Sequence, residues 1–230
     1  MTQHIGIVGC SAAGAALCYQ TICMEGAALL GPHAHPEVSL HTPSLAEYVD
    51  CLDRGDRQGV ADLMLDSAHK LAGMGADFLI CPDNTIHQAF ELVAARSPRP
   101  WLHIAEVVVA EAAQRGYQRL GLTGTRWLVE SEVYPEKLAA QGLQYLRPSQ
   151  TERDEINRII MSELVYGVFT PQGTAYFQQV IARLKAEGCD AVVLGCTEIP
   201  LIISDANSPL PTLDSTRLLA RAALRRAVGH

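Results

Sequence analysis

Two stretches decide the fold of this 230-residue chain: GADFLICPDNT at 75–85 and GCDAVVLGCTE at 188–198. Each opens with Gly-x-Asp, continues as a short apolar run and ends in a polar knot. The knot is Asp83-Asn84-Thr85 in the first stretch and Cys196-Thr197-Glu198 in the second. A short apolar run bounded by turn residues reads as a buried strand. Laying residue 75 on residue 188, an offset of 113, brings Asp83 onto Cys196. A second match, IGIVGC at 5–10 with LGLTGT at 120–125, has an offset of 115. A repeat this long is no solenoid period; it describes one α/β unit used twice.

The segments between these strands support that reading. HIGIVGC (4–10), EVSLHT (37–42) and DFLICP (77–82) are strand candidates in the first half, and RLGLTGT (119–125), LQYLRP (143–148) and DAVVLGC (190–196) in the second. Val60, Leu63, Met64, Ala68, Leu71 and Ala72 share one helical face, stopped at Gly75. Thr151 with Asp154 resembles a capping box ahead of an Ile156, Ile159, Ile160, Leu164 stripe. Phe177, Val180, Ile181 and Leu184 line the next helix, which stops at Gly188. Strands alternating with helices imply parallel sheets flanked by helices. The expected fold is therefore α/β: two similar Rossmann-like lobes related by a pseudo-twofold axis, with the active site in the crevice between them. Residues 1–103 plus 210–230 are expected to form the first lobe and 104–209 the second.

Composition removes several function classes. Eighteen basic and twenty-five acidic side chains give a net charge of −7, and the longest basic cluster is the pair Arg225-Arg226. Nucleic acid and anionic membranes are poor partners for such a surface. No uninterrupted apolar run reaches the ~18–20 residues of a membrane span, and the N-terminal segment lacks the positive region of a signal peptide. Seven cysteines without CxxC spacing are no disulfide framework, so a reducing, cytoplasmic setting is expected. A small molecule is the expected ligand. GIVGCSAAG lacks GxGxxG spacing, and neither a P-loop nor a GxSxG elbow occurs. His33, His35 and His41 form no recognised ligand set, so no metal is expected.

Open α/β sheets bind ligands at the carboxyl ends of their strands. That rule would put Asp83 and Cys196 on opposite sides of one small molecule. Two proton-handling groups so placed suit inversion at carbon, one removing an α-proton and the other returning it from the far face. Ser11, Asn84, Thr85, Thr123, Thr125 and Thr197 sit in the turns after the strands, where hydroxyls and N–H groups can hold a substrate carboxylate. Cys196 is the better base candidate, because a helix N-terminus following the strand would lower its thiol pKa. Asp83 is a weak base at neutral pH unless burial raises it, and it can equally cap the turn. Glu198 is read as support for its turn, and Cys81 as lying too deep to reach the same atom. His87 is a possible partner of Asp83. Cys10, Cys18, Cys23, Cys51 and Cys189 are read as residues without chemistry.

GCTEIPLII at 195–203 resembles the second signature of the aspartate/glutamate racemase family, and the segment around NTIH at 84–87 resembles the first. GIVGC near the start and LGLTGTRWLVES extend the likeness along nearly the whole chain. The resemblance implies an amino-acid racemase or epimerase that needs neither pyridoxal phosphate nor metal and works as a homodimer. Its typical members use one cysteine from each lobe. Here Asp83 stands where the first cysteine is expected, directly before Asn84-Thr85. HTPSL at 41–45 and YGVFTP at 166–171 also lack the basic residues that hold a distal carboxylate in aspartate-preferring members. Two other activities remain open at this point. One is a decarboxylase or cis–trans isomerase of a small dicarboxylic acid using the single thiol. The other is a binding protein without catalysis.

Overall fold

The computed structural model describes residues 2–229. The chain divides into two compact units, one running up to Val107 and resuming at Thr216, the other covering Val108–Ser215. The first unit contains β1 (Ile5–Val8), α1 (Ala12–Leu30), β2 (Val38–His41), α2 (Leu45–Asp53), α3 (Arg57–Gly73), β3 (Phe78–Ile80), α4 (Phe90–Ala94) and β4 (Trp101–Leu102). Helix α5 (Ile104–Gln114) carries the chain onward. The second unit contains β5 (Arg119–Thr123), α6 (Arg126–Val129), α7 (Pro135–Ala140), β6 (Gln144–Leu146), α8 (Gln150–Ser162), α9 (Pro171–Ala186), β7 (Ala191–Leu194) and β8 (Thr212–Asp214). Helix α10 (Ser215–Val228) then returns to the first unit.

Each unit holds a four-stranded parallel sheet, ordered β2-β1-β3-β4 in the first and β6-β5-β7-β8 in the second. The order is the same in both, so the expected repeat is present in the topology. Registers correspond as well: Ile5 pairs with both Val38 and Phe78, and Leu120 with both Tyr145 and Ala191.

The inner strands β1, β3 and β7 are free of polar side chains and buried along their whole length because both faces are covered. Ile5, Ile7, Phe78 and Ile80 pack with Cys18 and Ile22 of α1 and with Leu219, Ala223 and Leu224 of α10. Val8, Leu79 and Cys81 point the other way, onto Val60, Met64, Ala68 and Leu71 of α3. In the second unit Val192, Leu194 and Cys196 share a face with Ile156, Ile159 and Ile160 of α8 and Phe177, Val180 and Ile181 of α9. Each such side chain contributes roughly 1.5–3 kcal/mol on burial.

The two Gly-x-Asp openings perform one task. Gly75 (φ 96°) and Gly188 (φ 91°) take left-handed backbone that ends the preceding helix. Two residues on, the Asp77 carboxylate accepts the backbone N–H of His4 at 2.7 Å, beside the start of β1. The Asp190 carboxylate likewise accepts the N–H groups of Gln118 (2.6 Å) and Arg119 (3.1 Å) at the start of β5. The repeated aspartate thus ties each central strand to its neighbour.

Four details depart from the sequence reading. The capping box of α8 is Ser149 with Glu152, two residues before the expected Thr151 with Asp154. Pro148 fixes the chain there and leaves Ser149 as the last extended residue. The edge strands β4 and β8 are two and three residues long, too short for periodicity to show. Since β8 pairs with β7, residues 212–214 belong to the second sheet rather than to the first lobe. Finally, α1 spans 19 residues and is, by length and composition alone, apolar enough to cross a membrane. In the fold it packs Cys18 and Ile22 into the first core.

Candidate active site

A strand order of this type reverses direction between β1 and β3, and between β5 and β7, where open sheets hold ligands. The turns leaving these four strands carry Ser11, Asp83, Thr125 and Cys196. The sequence candidates therefore gather at the switch point of their own sheet.

In the first unit β3 ends at Ile80, and Cys81 and Pro82 lead into the Asp83 turn. A 3₁₀ turn, Thr85–Ala89, follows before α4. Asp83 Oδ1 accepts the backbone N–H of Thr85 (2.9 Å) and of Ile86 (3.3 Å). This is the capping role a turn aspartate favours, and two N–H donors stabilise the ionised carboxylate. The Asp83 carbonyl accepts from His87 Nδ1 at 2.7 Å and from the Cys81 thiol at 3.7 Å. On the other side of the His87 ring, Nε2 accepts the Ile104 N–H at 3.4 Å. A backbone N–H can only donate, so the proton of neutral His87 sits on Nδ1. His87 is buried between Phe90, stacked at 5.5 Å, and His103, edge-on at 4.7 Å. Asn84 and Thr85 are buried, and Ser11 caps α1 by accepting the Gly14 N–H at 3.2 Å.

Cys81 is fully buried, and burial first, then the nearby Asp83, pushes its thiol well above the ordinary range. It is no replacement for a reactive cysteine. Tyr48 on α2, which the sequence reading did not single out, is also wholly buried, and its hydroxyl has no hydrogen-bond partner among the described residues. Burial is the main cause that raises its phenol, with Cys81, Cys10 and Asp83 adding to it. His103 was missed as well, because a single histidine between strand and helix carries no pattern.

In the second unit β7 delivers Gly195 and then Cys196, which is 7% exposed. The expected helix after Cys196 is absent; a three-residue 3₁₀ turn, Ile199–Leu201, stands there. One such turn lacks the run of aligned peptide dipoles that lowers a thiol pKa. A carboxylate takes the place beside the sulfur instead. Glu198 Oε2 accepts from Cys196 Sγ at 3.0 Å and from Thr197 Oγ1 at 2.7 Å. The other oxygen, Oε1, is buried without a partner.

The remaining hydroxyls have local duties. Thr123 Oγ1 donates across the sheet to the Val193 carbonyl at 2.6 Å, and Thr125 caps α6 by accepting the Leu128 N–H at 3.3 Å. The small residues of these turns are explained by packing. A Cβ at Gly9 would lie 2.3 Å from Thr42 Oγ1, and one at Gly195 would lie 2.6 Å from the Thr123 carbonyl. Among the described residues no group of three or more His, Cys, Asp or Glu side chains is placed to hold a metal ion.

Comparison with known proteins matches this arrangement. The sequence profile described as Asp/Glu/Hydantoin racemase covers residues 5–223. The broad specificity amino-acid racemase RacX of Bacillus subtilis is 23% identical over 172 residues, 74% of this chain and 73% of that protein. A Yersinia pestis structure named for its Asp/Glu racemase likeness superposes with a TM-score of 0.88 at 29% identity, covering 98% of this chain and 99% of the other. An aspartate racemase homologue from Pyrococcus horikoshii OT3 gives a TM-score of 0.83 at 25% identity, over 99% and 100% of the two chains.

Proposed function

Since this chain belongs to the Asp/Glu/hydantoin racemase family, we propose that it is a cofactor-independent amino-acid racemase or epimerase in which Cys196 exchanges the substrate α-proton on one face and Asp83 serves the other. The observation that carries this reading is the Cys196 turn. A proton-bearing thiol follows a central strand of its sheet and is hydrogen-bonded to a buried carboxylate at 3.0 Å. The common strand order and the 113-residue offset that lays Asp83 on Cys196 support giving Asp83 the corresponding role in the other sheet. N–H groups and hydroxyls of the turns at Ser11, Asn84, Thr85, Thr125 and Thr197 receive the substrate carboxylate and the charge that develops on it. Thr123, committed to Val193, contributes through the sheet rather than through its hydroxyl.

The substrate is read as a small amino acid without a distal carboxylate, in keeping with the segments at 41–45 and 166–171, which hold neither lysine nor arginine. The enzyme is read as a cytoplasmic homodimer, independent of membranes; seven free cysteines support the reducing compartment. Residues 1–103 plus 210–230 and 104–209 were the lobes expected from sequence, and we place the working boundary at the two unit junctions. Decarboxylation, cis–trans isomerisation and ligand binding without turnover are not favoured by relatives named as racemases.

The test is incubation with panels of L- and D-amino acids in deuterated water, following α-deuteration and optical rotation together. Deuteration with inversion supports the proposal. Carbon dioxide release from a malonate without exchange of any amino acid would replace it with the decarboxylase, and binding without turnover would replace it with the non-catalytic reading.

A further inference from the structure

We propose that Cys10 is a further catalytic residue, whose sulfur, beside Asp83, carries the proton on the substrate face given above to Asp83. The inference deepens that reading and rests on it.

The strand registers locate it. Five residues beyond the paired Ile5 and Phe78 stand Cys10 and Asp83. Five residues beyond the paired Leu120 and Ala191 stand Thr125 and Cys196. The turns leaving the two inner strands of each sheet thus hold one thiol and one oxygen-bearing side chain, with the strands exchanged between the units. Moving a sulfur from one inner strand to its neighbour shifts it by one strand spacing, about 4.8 Å. The face is kept. Cys10 packs in the cluster of Val8 and Leu79 on the α2 and α3 side, as Cys196 packs with Val192 and Leu194 on the α8 and α9 side. Cys10 is 3% exposed, close to the 7% of Cys196. Cys81 is fully covered, lies two residues deeper than Asp83 and is bonded to the Asp83 carbonyl.

The Tyr48 hydroxyl is an independent sign at the same place. It is wholly buried, has no hydrogen-bond partner among the described residues, and belongs to the packed cluster that holds Cys10 and Cys81. Burial first, then Cys81, Cys10 and Asp83, keep its phenol protonated. A buried donor left without an acceptor costs stability. A thiolate formed at Cys10 is an acceptor that would satisfy it. Asp83 is less suited to deliver a proton by itself. Its Oδ1 is committed to the Thr85 and Ile86 N–H groups, and an ionised carboxylate only accepts. An ordinary thiol ionises near ~8.5 and both gives and takes a proton around neutral pH.

In one direction the Cys196 thiolate takes the α-proton. The C–H bond breaks, an S–H bond forms, and the electron pair remains on the α-carbon, delocalised into the substrate carboxylate. The Cys10 S–H bond then breaks, a C–H bond forms on the opposite face with that pair, and the Cys10 sulfur keeps the electrons of its own bond. After product release, proton exchange with water restores both sulfurs. The other direction runs the same bonds in reverse.

The experiment takes each hand of an α-deuterated amino acid that wild type inverts and follows inversion and loss of deuterium to ordinary water, in wild type and in Cys10→Ser. The variant should invert at least about 100-fold more slowly. It should still wash deuterium out of one hand, the one whose α-position faces Cys196, and not out of the other. A residue that only supports the fold would slow both hands alike. A measurement on wild type decides the matter even if the variant fails to fold: iodoacetamide labelling of the Cys10 and Cys196 peptides, read by mass spectrometry with and without substrate. Both peptides should label, and substrate at about ten times its KM should slow both at least about fivefold. Inversion by Cys10→Ser within about threefold of wild type would overturn the proposal. So would equal loss of washout from the two hands, or a Cys10 peptide that does not label or that substrate does not protect. Inversion retained by Cys196→Ser would instead remove the reading on which the proposal rests.

Discussion

His87 holds the Asp83 turn from beneath. Its Nδ1 lies 2.7 Å from the Asp83 carbonyl, while the Ile104 N–H lies 3.4 Å from its Nε2. The ring thus couples the turn after β3 to the start of α5. Nitrogen-15 NMR of the imidazole should show the Nδ1-protonated neutral tautomer, and an Nε2-protonated ring would contradict the arrangement. His87→Ala removes both bonds and the stacking on Phe90, and should cost about 2–4 kcal/mol in urea denaturation.

Asp83 has one duty seen in the fold and one proposed for it. Its Oδ1 caps the Thr85 and Ile86 N–H groups, and its carboxyl is assigned an acid–base role. Asp83→Asn keeps an oxygen for the cap and loses the titratable group. Stability should change by less than about 0.5 kcal/mol, while exchange drops about 10²-fold. Unchanged exchange in this variant would reduce Asp83 to a cap. Asp83→Cys restores a proton carrier but weakens the cap, so it should retain exchange at a cost of about 1 kcal/mol in stability.

Asp190 offers a control far from chemistry. Asp190→Ala leaves the Gln118 and Arg119 N–H groups without their carboxylate and should destabilise by about 1–3 kcal/mol. Activity per folded molecule should stay at the wild-type level; a fall in kcat would show that the strand anchor reaches the site.

Cys81 makes a prediction about alkaline pH. Its thiol is raised by burial and by Asp83 in the fold, whereas in the unfolded chain it ionises near ~8.5. Above that pH the unfolded state has shed a proton that the folded state keeps. Stability is therefore full below the unfolded value and falls as pH rises. One such group removes about 1 kcal/mol between roughly pH 8.5 and 9.5. Urea midpoints for Cys81→Ala should fall less steeply over that interval than those of wild type. Equal slopes would place the alkaline loss elsewhere. Exchange should survive the substitution.

The repeat was legible because duplicated buried strands must be apolar and must be punctuated alike; Gly75-x-Asp77 and Gly188-x-Asp190 kept both the stop and the anchor. The helix faces of Val60, Met64, Ala68 and Leu71, and of Phe177, Val180 and Ile181, followed from periodicity for the same reason. Edge strands as short as Trp101–Leu102 have no period to read. At the site, motif position identified Asp83 and Cys196, and spacing offered His87 as a partner of Asp83, which it is through the Asp83 carbonyl; the carboxylate beside the Cys196 sulfur was not anticipated. The Glu198 contact depends on a 3₁₀ turn folding the chain back at Ile199, where a helix was expected. The unpartnered Tyr48 hydroxyl is visible only once α2 is packed.

The most direct measurement is proton NMR of α-hydrogen exchange in deuterated water, with wild type and Cys196→Ser compared on the amino acid that wild type turns over fastest. The account predicts exchange with inversion in wild type and a loss of about 10²–10⁴-fold in the serine variant, whose circular dichroism and melting should remain those of the folded protein. A folded Cys196→Ser protein that exchanges and inverts the substrate at the wild-type rate would contradict it.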